Sequence, residues 1–243
     1  MVRGLYASAS GLLAAEDVVS AVAANLANAA TPGYKAETTL TEPFGQMLLE
    51  ALGPTGALPL GSTVAAGTAV QREAYDLAEG PLVHTGNPLD VAVLGPGFFA
   101  VATPQGVRYT RDGSFHVDPF GRLTDAQGNP VLGVGGRPVA GLGPQASIGP
   151  DGTVREGGAV VGRLLLVDLR TVVQENQGLF QGVPAPDTTS RLLTGTLEEA
   201  NVDDTAAAMA TLAALSAYQL SADALSAGNT TLDVLVNQVG RVG

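Results

Sequence analysis

Few residues in this chain combine the type and the spacing that chemistry needs. Its two histidines, His84 and His116, stand far apart in turn- and strand-rich stretches. They read as surface residues, not as a general base or a metal pair. Asp112, Asp118, Asp125 and Asp151 are of the type that hydrolyses sugar bonds as paired carboxylates. Each lies in or beside a turn-forming group, where an aspartate bonds nearby N–H groups and a glycine takes the left-handed position. Gly141-Leu142-Gly143-Pro144-Gln145-Ala146 matches a dinucleotide-binding pattern by letter. It leads into proline and glycine turns, so no helix N-terminus is there to receive a phosphate. Asp118 to Gln127 lacks oxygen ligands at calcium-loop offsets. Asn229-Thr230-Thr231 is a glycosylation sequon by letter, but it falls within a predicted helix. The patterns of zinc proteases, α/β-hydrolases and P-loop proteins do not occur. The expectation is a chain that is not an enzyme and takes no cofactor, no metal and no small-molecule substrate.

Composition narrows the classes further. The formal net charge is −11, which argues against nucleic acid and against anionic membrane surfaces as partners. Lys35 is the sole lysine. With no cysteine, neither a disulfide framework nor a thiolate metal site is available. At 243 residues the chain has room for one or two domains and a sizeable core. No segment reads as long and apolar enough to span a bilayer. The apolar run from Leu5 to Ala15 is cut short by Glu16 and Asp17 and reads as an uncleaved helix, not a signal peptide.

The elements that would position any site fall into two helical ends around a β body. Residues 2–29 carry Leu5, Ser8, Leu12, Ala15, Val19, Val22 and Leu26 at alternating spacings of three and four, a narrow seam of about three heptads. A stop follows: Asn28 suits a helix end, Pro32 forbids continuation, and Gly33 permits a tight turn at positive φ. A second seam runs through Leu215, Tyr218, Ala222, Leu225, Asn229, Leu232, Val236 and Val239. Asn201, Asp203 or Asp204 would cap that helix. Asn229 would sit on the seam, where a single buried Asn fixes register at a cost in stability.

Between the ends, short apolar runs alternate with turn signals, from Leu89–Leu94 through Val160–Val167. The spacing predicts an all-β barrel or sandwich. Residues 36–80 show no sustained period beyond a possible short helix from Glu42 to Leu52 and an extended stretch from Val64 to Tyr75. The expected fold is therefore α+β. A terminal coiled-coil domain comes from residues 1–35 with 202–243, extended arms from 36–80 with 178–201, and a central β domain from 81–177. The arms could pair with each other.

Four stretches together carry a family likeness. They are Leu5 through Lys35, ending in Thr31-Pro32-Gly33-Tyr34-Lys35; Thr85 through Val93 with Gly97-Phe98-Phe99; Tyr109-Thr110-Arg111-Asp112-Gly113-Ser114-Phe115 with Gly121-Arg122-Leu123; and Gly195 through Val202. In this order they resemble the bacterial flagellar rod and hook family of axial proteins. The resemblance implies a structural rod subunit whose terminal helices line a helical tube, with the β domain outside, transmitting torque from motor to hook. It implies partners among further copies and other rod and hook proteins. It also implies export through the flagellar type III apparatus without signal cleavage, and a place in the flagellar basal body. The chain departs from the family at Ala200, where members usually have Ser, and in its Ala- and Leu-rich stretch from Ala206 to Tyr218. Two other readings stay open: a surface adhesion or appendage protein with a β domain on a helical stalk, and a wall-degrading enzyme of a secretion machine.

Overall fold

A computed structural model describes residues 2–43, 68–170, 172–175, 178–187 and 189–239. Helix α1 spans Val2–Ala27. Among the described residues the strands that follow are β1 Glu37–Pro43, β2 Thr68–Tyr75, β3 Leu82–His84, β4 Val91–Leu94, β5 Phe98–Thr103, β6 Gly106–Thr110, β7 His116–Val117, β8 Leu123–Thr124, β9 Ala146–Ile148, β10 Thr153–Glu156, β11 Ala159–Arg163, β12 Leu166–Leu169, β13 Val173–Glu175, β14 Leu179–Gln181, β15 Pro184–Pro186, β16 Arg191–Thr194 and β17 Thr196–Glu198. Helix α2, Asp204–Val239, closes the order. The chain divides into two compact units. One holds the described residues of Met1–Leu26, Glu37–Ala74 and Asp203–Gly243, the other those of Ala27–Ala36 and Tyr75–Val202.

In the second unit the largest sheet has six antiparallel strands in the order β13-β14-β6-β5-β12-β15. Its centre is the run Phe98-Phe99-Ala100-Val101. Alternate side chains on a strand face opposite sides, so a strand covered on both faces reads as continuously apolar. Phe99 and Val101 enter one core with Val91, Phe115 and Leu123, while Phe98 and Ala100 enter another with Val167 and Phe180. Edge-to-face ring contacts at 5.0 Å (Phe99 with Phe115) and 5.3 Å (Phe98 with Phe180) hold the two sides. Pro184 and Pro186 lie in the edge strand β15, where a missing N–H costs no ladder bond.

The strands are antiparallel as expected, but among the described residues they form open sheets and no closed barrel. The run Val160–Val167 is not one strand. It leaves the three-stranded sheet β11-β10-β9 and joins the six-stranded one, burying Leu164 at the crossing. Among the described residues, no strand of one arm pairs with a strand of the other. β1 pairs with β2, β17 with β3, and β16 with β4. The second arm thus pairs with strands of the β body and meets the first arm through side chains: the Asn201 amide donates to Asp76 O and Ala78 O and accepts from Ala36 N–H. The predicted short helix from Glu42 to Leu52 lies almost wholly outside the described residues. Within α1, Ala9–Ala27 has the length and mean hydropathy, 1.2, of a bilayer-crossing helix, which corrects the expectation that no segment does. Glu16 and Asp17 lie exposed within it.

Candidate functional site

The charged residues weighed for catalysis serve turns. The Asp118 carboxylate accepts from Phe120 N–H at 2.8 Å, Arg122 N–H at 2.9 Å and Arg122 Nε at 2.7 Å. Asp125 binds Gln127 N–H and the Asn129 main chain and amide, and Asp151 binds Thr153 N–H and hydroxyl. His84 and His116 are exposed. Gly141 to Ala146 runs as a loop into β9, with no helix behind it. Among the described residues, no three His, Cys, Asp or Glu side chains gather as a metal site.

Asp112 differs, because burial pushes its carboxyl above the usual carboxylate range despite hydrogen bonds from the Ser114 hydroxyl and N–H. A carboxyl held up in the folded state binds its proton more tightly there than in the unfolded chain. Its contribution to stability is therefore fully present below its unfolded pKa and is lost as pH rises through the folded value. Asp112→Asn keeps an acceptor for Ser114 and removes the charge. Its melting temperature relative to the parent is expected to climb between pH 4 and pH 7; a constant difference would contradict the assignment.

Two features remain that a structural protein would use. The first is the helix pair of the first unit. Asn25, buried near the end of α1, clamps the main chain of Glu37 with both amide atoms, each at 2.8 Å. Asp203 caps α2 by accepting from Thr205 and Ala206 N–H at 2.9 and 3.0 Å, while Asn201 serves the arms instead. Gly11 faces Ser221 so closely that an added Cβ would stand 3.2 Å from its hydroxyl. Between the helices runs a groove of about 400 Å³ lined by Gly11, Ala14, Ala15 and Val18 of α1 and by Ala210, Ala213, Ala214 and Ala217 of α2. Mostly alanines line it, and several larger side chains are exposed. Leu13, Met209, Leu212 and Leu220 are 61–70% exposed.

Among the sequence-predicted seam residues, Val22 is buried and Leu12, Val19 and Leu225 are half-buried. Leu26, Leu215, Tyr218 and Asn229 are exposed. The side chains of Leu5, Leu232, Val236 and Val239 lie outside those described. The helix stop is built from Asn28, whose carbonyl accepts from Thr31 N–H at 2.9 Å, then Pro32, then Gly33 at φ +68°.

The second feature is a buried charge cluster in the β unit that the sequence analysis did not pick out. Lys35, Arg111 and Glu198 are each at most 2% exposed. Lys35 Nζ donates to Glu198 Oε1 and to Ala78 O, both at 2.5 Å. Gly80 N–H donates to the same Oε1 at 2.9 Å. Arg111 lies 3.5 Å from Glu198 Oε2, donates to Gly95 O at 2.6 Å and stacks on the Phe98 ring. Burial pulls the pKa of Lys35 below the usual lysine value, and the Glu198 carboxylate opposes that pull. The one available hint was that the sole lysine closes the helix-stop turn.

An antiparallel β unit, terminal helices that display apolar side chains, and carboxylates committed to turns describe a structural subunit built to assemble. The comparisons agree. A family model described as flagella basal body rod protein matches residues 5–35, and one described as flagellar hook protein FlgE/F/G D1 domain matches residues 92–156. The flagellar basal-body rod protein FlgF of Caulobacter vibrioides is 34% identical over 212 residues, covering 83% of each chain. FlgF of Escherichia coli is 34% identical over 226 residues, covering 84% of this chain and 85% of its own. FlgG of Borreliella burgdorferi is 27% identical over 98% of both chains. The chain belongs to the flagellar basal-body rod protein family, a family of structural proteins, not enzymes, in the flagellar basal body.

Proposed function

We propose that this chain is an axial subunit of the flagellar rod whose α1 and α2 pair as a coiled coil and bind neighbouring subunits through their outward faces. The observation that carries this reading is the exposure of Met209 (66%), Leu212 (68%) and Leu220 (70%) on a helix in which, among the described side chains, Ala214 alone is buried. Covering each such side chain is worth about 1.5–3 kcal/mol, so helices of this kind gain by meeting others. The small-residue groove between α1 and α2 supports the pairing. Leu26, Leu215 and Tyr218, exposed in the single chain, are available to neighbouring copies and to other rod and hook proteins.

Such contacts join unlike surfaces and so propagate into a helical tube, which carries torque from motor to hook. Export through the flagellar type III apparatus is part of the same proposal. A chain ending at Asp203 tests it. Its β unit is expected to melt cooperatively near the parent temperature, while the chain fails to enter rods in a strain lacking its own copy. Normal incorporation of that truncated chain would overturn the reading.

A further inference from the structure

We propose that Lys35, Arg111 and Glu198 act as a two-ended latch, so that the β unit closes only when the segments leading to both terminal helices are seated together. Its use during export rests on the rod-subunit reading; the geometry does not. Glu198 brings one carboxylate to two cations, and its main-chain carbonyl accepts from Gly33 N–H at 2.7 Å. Asn201 N–H donates to Tyr34 O at 3.3 Å, and Ala36 N–H donates to the Asn201 side chain at 2.7 Å. The fit leaves no slack. A methyl group on Gly33 would fall into the Arg111–Asp112 main chain, and one on Gly80 into the carbonyl of Glu199.

The partners lie 163 residues apart. In a chain delivered from its N-terminus, Lys35 and Arg111 arrive before any buried carboxylate exists for them. Without it they stay hydrated, because a lone buried cation is costly, and the turn after α1 stays undocked. When Glu198 arrives, both ends settle in one step. The latch thereby ties the chain leaving α1 to the chain approaching α2 and withholds closure from an incomplete subunit.

Hydrogen exchange on the purified full-length chain tests this. In rising sub-denaturing urea, the amides of Gly33, Ala36, Gly80 and Glu199 are expected to converge on one opening free energy; separate curves for residues 33–36 and 195–201 would overturn the latch. In variants, Glu198→Gln is expected to speed exchange at Ala36, and Lys35→Met at Glu199, on the order of a hundredfold. Faster exchange confined to the mutated segment would also overturn it. If a variant does not fold, the urea series on the parent chain decides alone. Both readouts use the free chain, so failure of the latch is distinguishable from failure to enter rods.

Discussion

Replacing Glu198 with alanine is expected to cost about 3–5 kcal/mol, enough to remove a large share of the stability of an ordinary domain. The loss does not come from breaking a favourable surface pair. Lys35 and Arg111 are at most 2% exposed, so deleting the carboxylate strands two cations where water does not reach. Lys35 Nζ keeps only the Ala78 carbonyl, and Gly80 N–H loses its acceptor. Urea unfolding of Glu198→Ala beside the parent reads the cost directly. A loss below about 1 kcal/mol, the level of an exposed ion pair, would show that the cluster is hydrated in solution.

Gly33→Ala is the second large effect, and two causes add. Gly33 sits at φ +68°, a conformation that costs an L-residue roughly 1–2 kcal/mol. The new methyl group would also meet the main chain of Arg111 and Asp112, which cannot swing aside as a side chain would. The expected total is about 3 kcal/mol or more, with the Gly33 N–H bond to the Glu198 carbonyl weakened. Gly86→Ala is the control. It has a similar φ of +74° but open space around it, so it should show the conformational cost alone. Equal melting temperatures for the two variants would refute the steric argument.

These two residues mark where sequence reading succeeds and where it stops. Gly33 was legible as a turn glycine because Pro32 and the end of the heptad pattern point to it. Its second role, the close approach to Arg111, was not, because nothing in the local pattern says what will lie against a turn. The turn aspartates were legible for the same local reason: Asp118, Asp125 and Asp151 each bind N–H groups two to four residues on. The apolar run Phe98-Phe99-Ala100-Val101 marked a strand but did not reveal that two cores would share it.

The Lys35–Arg111–Glu198 cluster escaped because it has no period and no motif. Its members lie in three separate stretches that each resembled the family for other reasons. The helix faces were only half legible. Heptad counting favours Leu and Val, whereas in the single chain the residues between α1 and α2 are mostly alanine. Small side chains let two helices approach closely, and Leu13, Met209, Leu212 and Leu220 are left exposed, where an assembly would use them.

Hydrogen exchange on the terminal helices, before and after the chain enters an assembled rod, tests the central claim most directly. The account predicts that exchange in α1 and α2 slows further on assembly, with little change in the strands of the β unit. Helices as well protected in the free chain as in the rod would contradict it.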